Sequence, residues 1–134
     1  MPITKSSRDL VDEAMEEIRT YTVAEVLPRL SDPQTLLVDI RDIRELAHGA
    51  VVGAFHAPRG MLEFWVDPDS PYFKPVFGED KTFVFFCAGG LRSALTTKTL
   101  QDMGLAPVAH IEGGFAAWKD AGGAVEAVLP KVDK

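Results

Sequence analysis

The sequence has one cysteine, Cys87, in 134 residues. A lone cysteine excludes an internal disulfide, and it also excludes an internal resolving thiol. The three histidines, His48, His56 and His110, show no metal-ligand spacing, and no motif pairs any of them with Cys87. We therefore expect no metal centre, and we expect each histidine to be structural or solvated rather than the base of a cysteine protease.

Long apolar runs and basic residues are also scarce. No apolar stretch approaches the length of a membrane span, and the start of the chain, Met1-Pro2-Ile3-Thr4-Lys5, lacks the apolar core of a signal peptide. Fourteen basic residues against twenty acidic ones give a formal net charge of −6, which opposes a general role with nucleic acid or an anionic membrane. We expect a cytoplasmic protein in which a small anionic substrate is held by local positive charge.

The apolar runs that are present are short and predict strands. Thr82-Phe83-Val84-Phe85-Phe86 and Thr35-Leu36-Leu37-Val38-Asp39 show no polar alternation, which is typical of strands buried on both faces of a parallel sheet. Tyr21-Thr22 predicts a short edge strand and Val108-Ala109-His110-Ile111 the last strand, with helical segments between them. The pattern predicts a single α/β domain with a central, mainly parallel sheet and helices on both faces.

We divide the chain into an amino-terminal helical extension (residues 1–19), the main domain (residues 20–128) and a carboxyl-terminal tail (residues 129–134). The extension is amphipathic, because its apolar residues recur at helical spacing and the acidic ones are largely opposite. Its apolar face consists of Leu10, Val11, Ala14, Met15 and Ile18. The helix either packs on the domain's own surface or forms the contact of a homodimer.

The lone thiol lies in the segment Cys87-Ala88-Gly89-Gly90-Leu91-Arg92-Ser93, directly after a predicted core strand. The carboxyl ends of parallel strands are where ligands bind in open α/β sheets. The two glycines allow a tight turn that aims backbone N–H groups at the sulfur, Ser93 is a candidate N-cap of the next helix, and Arg92 adds a full positive charge. All three features favour a nucleophilic thiolate over the alternative of a buried, inert cysteine.

This segment resembles the active-site loop of rhodanese-like sulfurtransferases, and three other stretches resemble motifs of that family in the right order. They are Val38-Asp39-Ile40-Arg41 with Glu45, Gly53-Ala54-Phe55-His56-Ala57-Pro58, and Ile111-Glu112-Gly113-Gly114-Phe115-Ala116-Ala117-Trp118. The resemblance covers about residues 20 to 126, and four ordered motifs make it specific. Ala50 and Val52 depart from the family, which has histidine and proline there, in a stretch that leads away from the nucleophile.

The resemblance implies transfer of a sulfane sulfur through a persulfide on Cys87, without metal or organic cofactor. The donor is a small anion such as thiosulfate, and the acceptor is cyanide or a thiol. Arg92 attracts the donor and steadies the leaving group. The expected substrate-binding residues are those of the loop, Ala88, Gly89, Gly90, Leu91 and Ser93, with Arg59 and Trp65 as candidates for the pocket wall.

Two other functions remain open. One is a sulfur-relay or binding module that has the fold with little turnover. The other is a cysteine phosphatase or arsenate reductase, which also joins a thiolate to an arginine across an anion-binding loop. The phosphatase signature places five residues between the two, whereas only four separate Cys87 from Arg92.

Two further segments have open interpretations. Asp39 either orients groups of the loop or, as we favour, accepts turn amides or pairs with Arg41, and a pair between Arg41 and Glu45 would be local and weak. The proline-broken stretch of residues 66–79 either covers the core with its aromatic side chains or lines a substrate entrance.

Overall fold

A parallel five-stranded sheet forms the centre of the computed structural model, which describes residues 1–128. In chain order the strands are β1 (Arg19–Tyr21), β2 (Thr35–Asp39), β3 (Ala50–Val51), β4 (Phe55–His56), β5 (Thr82–Phe86), β6 (Val108–Ile111) and β7 (Val125–Glu126). The central sheet has the order β1-β6-β5-β2-β4, and β3 pairs antiparallel with β7. The central position of β5 explains its run of apolar residues, because both of its faces are covered.

Five α-helices connect or flank the strands. They are α1 (Ser7–Glu17), α2 (Val23–Val26), α3 (Leu62–Trp65), α4 (Leu91–Asp102) and α5 (Gly114–Asp120). Short 3₁₀ helices cover Leu27–Ser31, Ile43–His48, Arg59–Met61 and Pro75–Gly78. The segment that begins as a helix at Val23 tightens to 3₁₀ geometry after Val26, where Pro28 has no N–H to donate to an earlier turn.

The sheet has an apolar core on each face. On one face, Val26 of α2 and Phe115 and Trp118 of α5 pack against the sheet. On the other, Leu62 of α3 and Leu100 of α4 pack on Phe83 and Phe85 side by side with Phe77. The predicted α/β domain with a mainly parallel sheet and helices on both faces is therefore confirmed.

The amino-terminal helix α1 lies against α4. Its capping box joins Ser6 and Asp9, and Val11 and Ala14 are buried with Ala94 of α4. The apolar residues Leu10 and Met15 are 45% and 36% exposed. Packing on the domain's own surface thus accounts for part of the apolar face, and a homodimer through the remainder stays a prediction, as do the domain limits at residues 19 and 20. The tail, residues 129–134, lies outside the described residues.

None of the helices within residues 1–128 has the length and apolar character needed to cross a membrane.

Candidate active site

Cys87 follows β5 at the carboxyl edge of the sheet, and its side chain is buried, with 1% of the residue exposed. Two backbone N–H groups point at its sulfur: Gly90 N lies 3.1 Å from Sγ and Ser93 N lies 3.4 Å from it. The turn was predicted to aim amides at one point, and these two donors fulfil that expectation. Amides held around one atom stabilise negative charge on that atom, such as a thiolate at Sγ, or on a sulfur bonded to it.

The start of α4 differs from the prediction. The helix begins at Leu91 rather than Ala94, and its N-cap is Gly90, so the assignment of Ser93 as N-cap is wrong. Gly90 has φ +100°, a left-handed conformation that side chains with a Cβ avoid, and a Cβ there would approach Gly113 N to 3.2 Å. Because the chain turns so early, Ser93 lies inside the first helical turn with its hydroxyl 3.6 Å from the sulfur of Cys87.

The first residues of α5 donate backbone hydrogen bonds to the loop around Cys87. Phe115 N donates to the carbonyl of Cys87 at 2.8 Å, and Ala116 N donates to the carbonyl of Ala88 at 3.1 Å. Gly114 makes this approach possible, since its φ is +57° and a Cβ on it would collide with the backbone of Cys87 and Ala88. The paired glycines of the last motif therefore bring the amino end of α5 against the loop around Cys87.

Arg92 is tied to Glu45 rather than free beside the sulfur. Its Nη1 and Nη2 donate to Glu45 Oε1 and Oε2 at 2.7 and 2.9 Å, a bidentate pair at the rim of the site. The hydrogen bonds from Arg92 lower the pKa of Glu45 to about 2, and the pair raises the pKa of Arg92. The structure thus gives Glu45 a different partner from Arg41, the one considered from the sequence, because its 3₁₀ helix turns the carboxylate toward α4.

Arg41 instead forms a buried ion pair with Asp39. Its Nη2 lies 2.8 Å from Asp39 Oδ2 and 2.9 Å from the carbonyl of Gly49, and its guanidinium carbon lies 4.1 Å from the ring centroid of Phe115. The structural interpretation of Asp39 is confirmed by these contacts. Through Arg41 and its contact with Phe115, the segment after β2 is held against α5. This segment leads to Glu45, so these contacts help to position Glu45 for its pair with Arg92.

His110, for which no role beside Cys87 was predicted, is joined to the sulfur through Ser93. His110 Nδ1 lies 3.0 Å from Ser93 Oγ, and its Nε2 lies 3.1 Å from Thr20 Oγ1 and 3.1 Å from Met15 Sδ. Burial lowers the pKa of His110 to about 4, so the imidazole is neutral near pH 7. A polar residue inside the apolar last strand was the only signal in the sequence, and it did not indicate which residue His110 contacts.

The remaining predicted residues lie at the rim or away from it. Gly89 and Leu91 are exposed, and Leu91 is 64% exposed beside the loop opening. Trp65 packs edge-on against Phe55 in the core cluster that includes Cys87, whereas Arg59 borders a groove between α1 and α4. Within residues 1–128 no hydrogen bond or salt bridge joins Arg59 or Trp65 to the loop, so their place in a pocket wall stays a prediction.

The stretch of residues 66–79 divides between the two predicted roles. Phe77 is buried in the core beside Phe83, which fits a hydrophobic cover. Tyr72 is 57% exposed and packs edge-on against Phe64 on α3.

In the part of the chain that the structure describes, no group of three or more histidine, cysteine, aspartate or glutamate side chains could hold a metal ion.

A strand-to-helix loop that surrounds a cysteine sulfur with amides, with an arginine at its rim, defines a class of anion-binding cysteine domains. The sequence model of the rhodanese-like domain family matches residues 22–121, and the chain belongs to the rhodanese-like family. The candidate sulfurtransferase YtwF of Bacillus subtilis (strain 168) is 31% identical over 105 residues, which cover 78% of this chain and 91% of that protein.

Two solved structures show the same fold. A protein of unknown function from Rhodopseudomonas palustris CGA009, described as a possible tyrosine phosphatase, is 56% identical with a TM-score of 0.90, and the match covers 94% of this chain and 98% of that one. A rhodanese-like domain protein from Staphylococcus aureus is 26% identical with a TM-score of 0.64, covering 84% of this chain and 100% of that one. Family membership supports sulfurtransferase or related chemistry broadly.

Proposed function

We propose that this protein transfers a sulfane sulfur from a small anionic donor such as thiosulfate to a thiol or cyanide, through a persulfide on Cys87. The observation that carries the proposal is the pair of backbone amides, Gly90 N and Ser93 N, which lie 3.1 and 3.4 Å from Cys87 Sγ. The chain has no second cysteine that could react in its place. Such a cradle stabilises the Cys87 thiolate that attacks the donor, and the charged terminal sulfur of a persulfide lies one S–S bond from the same amides.

In the first step the Cys87 thiolate attacks the outer sulfur of thiosulfate. A new S–S bond forms to Sγ, the S–S bond of the donor breaks, and sulfite leaves with the electron pair. The enzyme persulfide keeps one negative charge on its terminal sulfur. The amides of Gly90 and Ser93 face Sγ, one S–S bond from this charge, and they support the persulfide without rearrangement because they are fixed by the first turn of α4.

In the second step the acceptor attacks the terminal sulfur. Cyanide takes it as thiocyanate, or a thiolate takes it as a new persulfide, and the Cys87 thiolate is restored. No metal or organic cofactor enters either step. The same set of donors serves both steps, since Cys87 Sγ is the attacking anion of the first step and the anionic leaving group of the second.

Arg92 is the cation that would bind the anionic donor, and its ion pair with Glu45 weakens its attraction for that donor. The Arg92 side chain is 42% exposed, and its bidentate pair with Glu45 occupies both Nη atoms. An anionic donor must therefore share Arg92 with a carboxylate or displace it. This arrangement favours donors of modest charge over strongly charged anions, since each added negative charge is repelled by Glu45.

The test is the intact mass of the protein after incubation with thiosulfate, measured before and after cyanide. We expect the mass of one sulfur atom to appear and then to leave as thiocyanate, and we expect Cys87→Ser to show neither change. Thr97→Val is a matched control, because Thr97 is a buried polar residue of α4 whose hydroxyl has no hydrogen-bond partner within residues 1–128. If Cys87→Ser formed thiocyanate at the original rate, Cys87 would not be the nucleophile.

A second candidate, a tyrosine phosphatase, is favoured by the description of the Rhodopseudomonas palustris relative. The loop argues against it, because four residues between Cys87 and Arg92 make a smaller ring than the five of the phosphatase signature. Hydrolysis of an aryl phosphate by the same preparation decides between the two. Faster phosphate release than sulfur transfer would replace the sulfurtransferase proposal, and formation of a stable persulfide with very slow turnover would favour a sulfur-relay module.

A further inference from the structure

A continuous chain of polar groups leads from the buried sulfur to the edge of the sheet. Sγ of Cys87 lies 3.6 Å from Ser93 Oγ, Ser93 Oγ lies 3.0 Å from His110 Nδ1, and His110 Nε2 lies 3.1 Å from Thr20 Oγ1. Ser93 and His110 are both at most 1% exposed. Each link joins two different elements, so the chain depends on the packing of α4 on β6 and of β6 beside β1.

We propose that His110 is a positioning residue for the reacting sulfur, which holds the Ser93 hydroxyl in the orientation that donates a hydrogen bond to the sulfur whenever the sulfur is anionic. It acts only through Ser93 and does not itself contact the sulfur. The proposal rests on the proposed function only in taking Cys87 as the reacting residue.

A neutral imidazole suits this role because it has one N–H and one lone pair. In one arrangement His110 Nε2–H faces Thr20 Oγ1 and Met15 Sδ, its Nδ1 accepts from Ser93, and Ser93 Oγ accepts from the thiol. In the other, Thr20 donates to Nε2, Nδ1–H donates to Ser93 Oγ, and Ser93 donates to the anionic sulfur. The two arrangements differ by the single proton of the thiol, which leaves to solvent, and neither requires heavy atoms to move.

Without His110 the hydroxyl has a competing acceptor. Ser93 Oγ lies 3.3 Å from the carbonyl of Gly90, the ordinary local partner of a serine in the first turn of a helix. A donor at Nδ1 fixes the position of Oγ between the imidazole and the sulfur, and it strengthens the hydroxyl as a donor because hydrogen bonds in a chain polarise one another. The sulfur then receives a third hydrogen bond in addition to the two backbone amides.

The first test is a double-mutant cycle on the alkylation of Cys87 by iodoacetamide at pH 7, followed by intact mass. Alkylation reports the thiolate directly, and the chain has no other cysteine to react. We expect Ser93→Ala and His110→Leu each to slow alkylation about five-fold, since one lost charge-assisted hydrogen bond lowers the thiolate population while the remaining thiolate becomes more nucleophilic. The double variant should be no slower than Ser93→Ala.

Two further variants separate positioning from packing. His110→Asn should retain most of the rate, because its amide can donate to Ser93 from nearly the place of Nδ1. Thr97→Val, on the same helix but outside the chain of contacts, should leave the rate unchanged. The proposal would be overturned if His110→Leu slowed alkylation by the same factor in the Ser93→Ala background as in the unsubstituted protein. It would also be overturned if His110→Leu did not slow alkylation at all.

The second test is nitrogen-15 NMR of the unsubstituted protein at about pH 9.5, where a typical cysteine is ionised. We expect the proton of His110 on Nδ1, and a proton on Nε2 would overturn the proposal. This measurement decides the matter should His110→Leu fail to fold. Neither test uses a sulfur donor, so a protein that forms no persulfide but gives these results would contradict the proposed function and support the role of His110.

Discussion

Arg92 and Glu45 form a bidentate ion pair at the rim of the site around Cys87. We expect Glu45→Gln to raise kcat/KM for thiosulfate about ten-fold, mainly by lowering KM, because it frees both Nη atoms of Arg92 and removes a charge that repels the dianion. Steady-state thiocyanate formation over a range of thiosulfate concentrations measures the effect.

Asp42→Asn is the matched control for that prediction. Asp42 is a neighbouring carboxylate whose partner, Arg44, is largely exposed, with 88% of its side chain accessible. Asp42 is also the N-cap of the 3₁₀ helix that carries Glu45, and asparagine can keep that cap. The substitution should therefore leave kcat/KM within about two-fold, since exposed ion pairs contribute little. A loss of activity in Glu45→Gln as large as that of Arg92→Ala would show instead that Glu45 is needed to position Arg92.

At the scale of single residues, the sequence identified the groups but not all of their partners. Asp39 and Arg41 lie two apart, and their pairing could be expected because the contact is local. The partners of Glu45 and His110 are 47 and 17 residues distant in the chain, and spacing within a motif carries no signal of such contacts. They follow from the order of the strands, which brings separate segments to one edge of the sheet.

The loop around Cys87 and α5 are in direct contact at Gly114. We expect Gly114→Ala to lower sulfur transfer at least ten-fold and to destabilise the fold, because the new Cβ displaces the carbonyls of Cys87 and Ala88 that Phe115 N and Ala116 N hold. Initial rates and a thermal melting curve measure the two effects.

Gly122→Ala distinguishes collision from backbone strain. Gly122 also has a left-handed φ, +81°, but nothing lies within 4 Å of the position of its Cβ. The substitution should cost about 1 kcal/mol of stability and leave the rate unchanged, since left-handed strain is its only penalty. A rate in Gly114→Ala equal to that in Gly122→Ala would mean that α5 does not hold the loop.

At the scale of elements, central strands were easier to predict than edge strands or helix boundaries. The edge strand predicted at Tyr21-Thr22 lies at Arg19–Tyr21, because Thr22 caps α2. The limits predicted for β2, β5 and β6 agree with the structure, because a central parallel strand is an uninterrupted apolar run bounded by polar residues. The first residues of α4 were missed because serine is the usual N-cap, whereas here the left-handed Gly90 has that place. Tertiary contact with Gly113 selects this geometry.

The stability of the whole molecule should depend on pH through His110. Its pKa is about 4 in the folded protein, against an ordinary value of about 6.5. Below about pH 6.5 the unfolded chain binds a proton that the folded protein does not, so the free energy of unfolding falls as the pH is lowered toward 4. We expect a loss of about 2 kcal/mol between pH 7 and pH 5.

Urea unfolding at the two pH values, with His110→Leu as comparison, measures this contribution. The variant should lose less stability over the same interval, and an equal loss in both proteins would contradict the prediction. The low pKa of Glu45, about 2 in the folded protein, does not interfere, because its stabilising effect is lost only below about pH 4.5.

The strand order also has a consequence for the making of the protein. β1 pairs only with β6 within the central sheet, and the loop around Cys87 is held by α5, which is translated later than both. A growing chain therefore cannot complete this domain from β1 onward, as domains that fold during synthesis often do. The loop gains the contacts that hold it only after α5 has been made, so a chain terminated before Gly114 carries Cys87 without them.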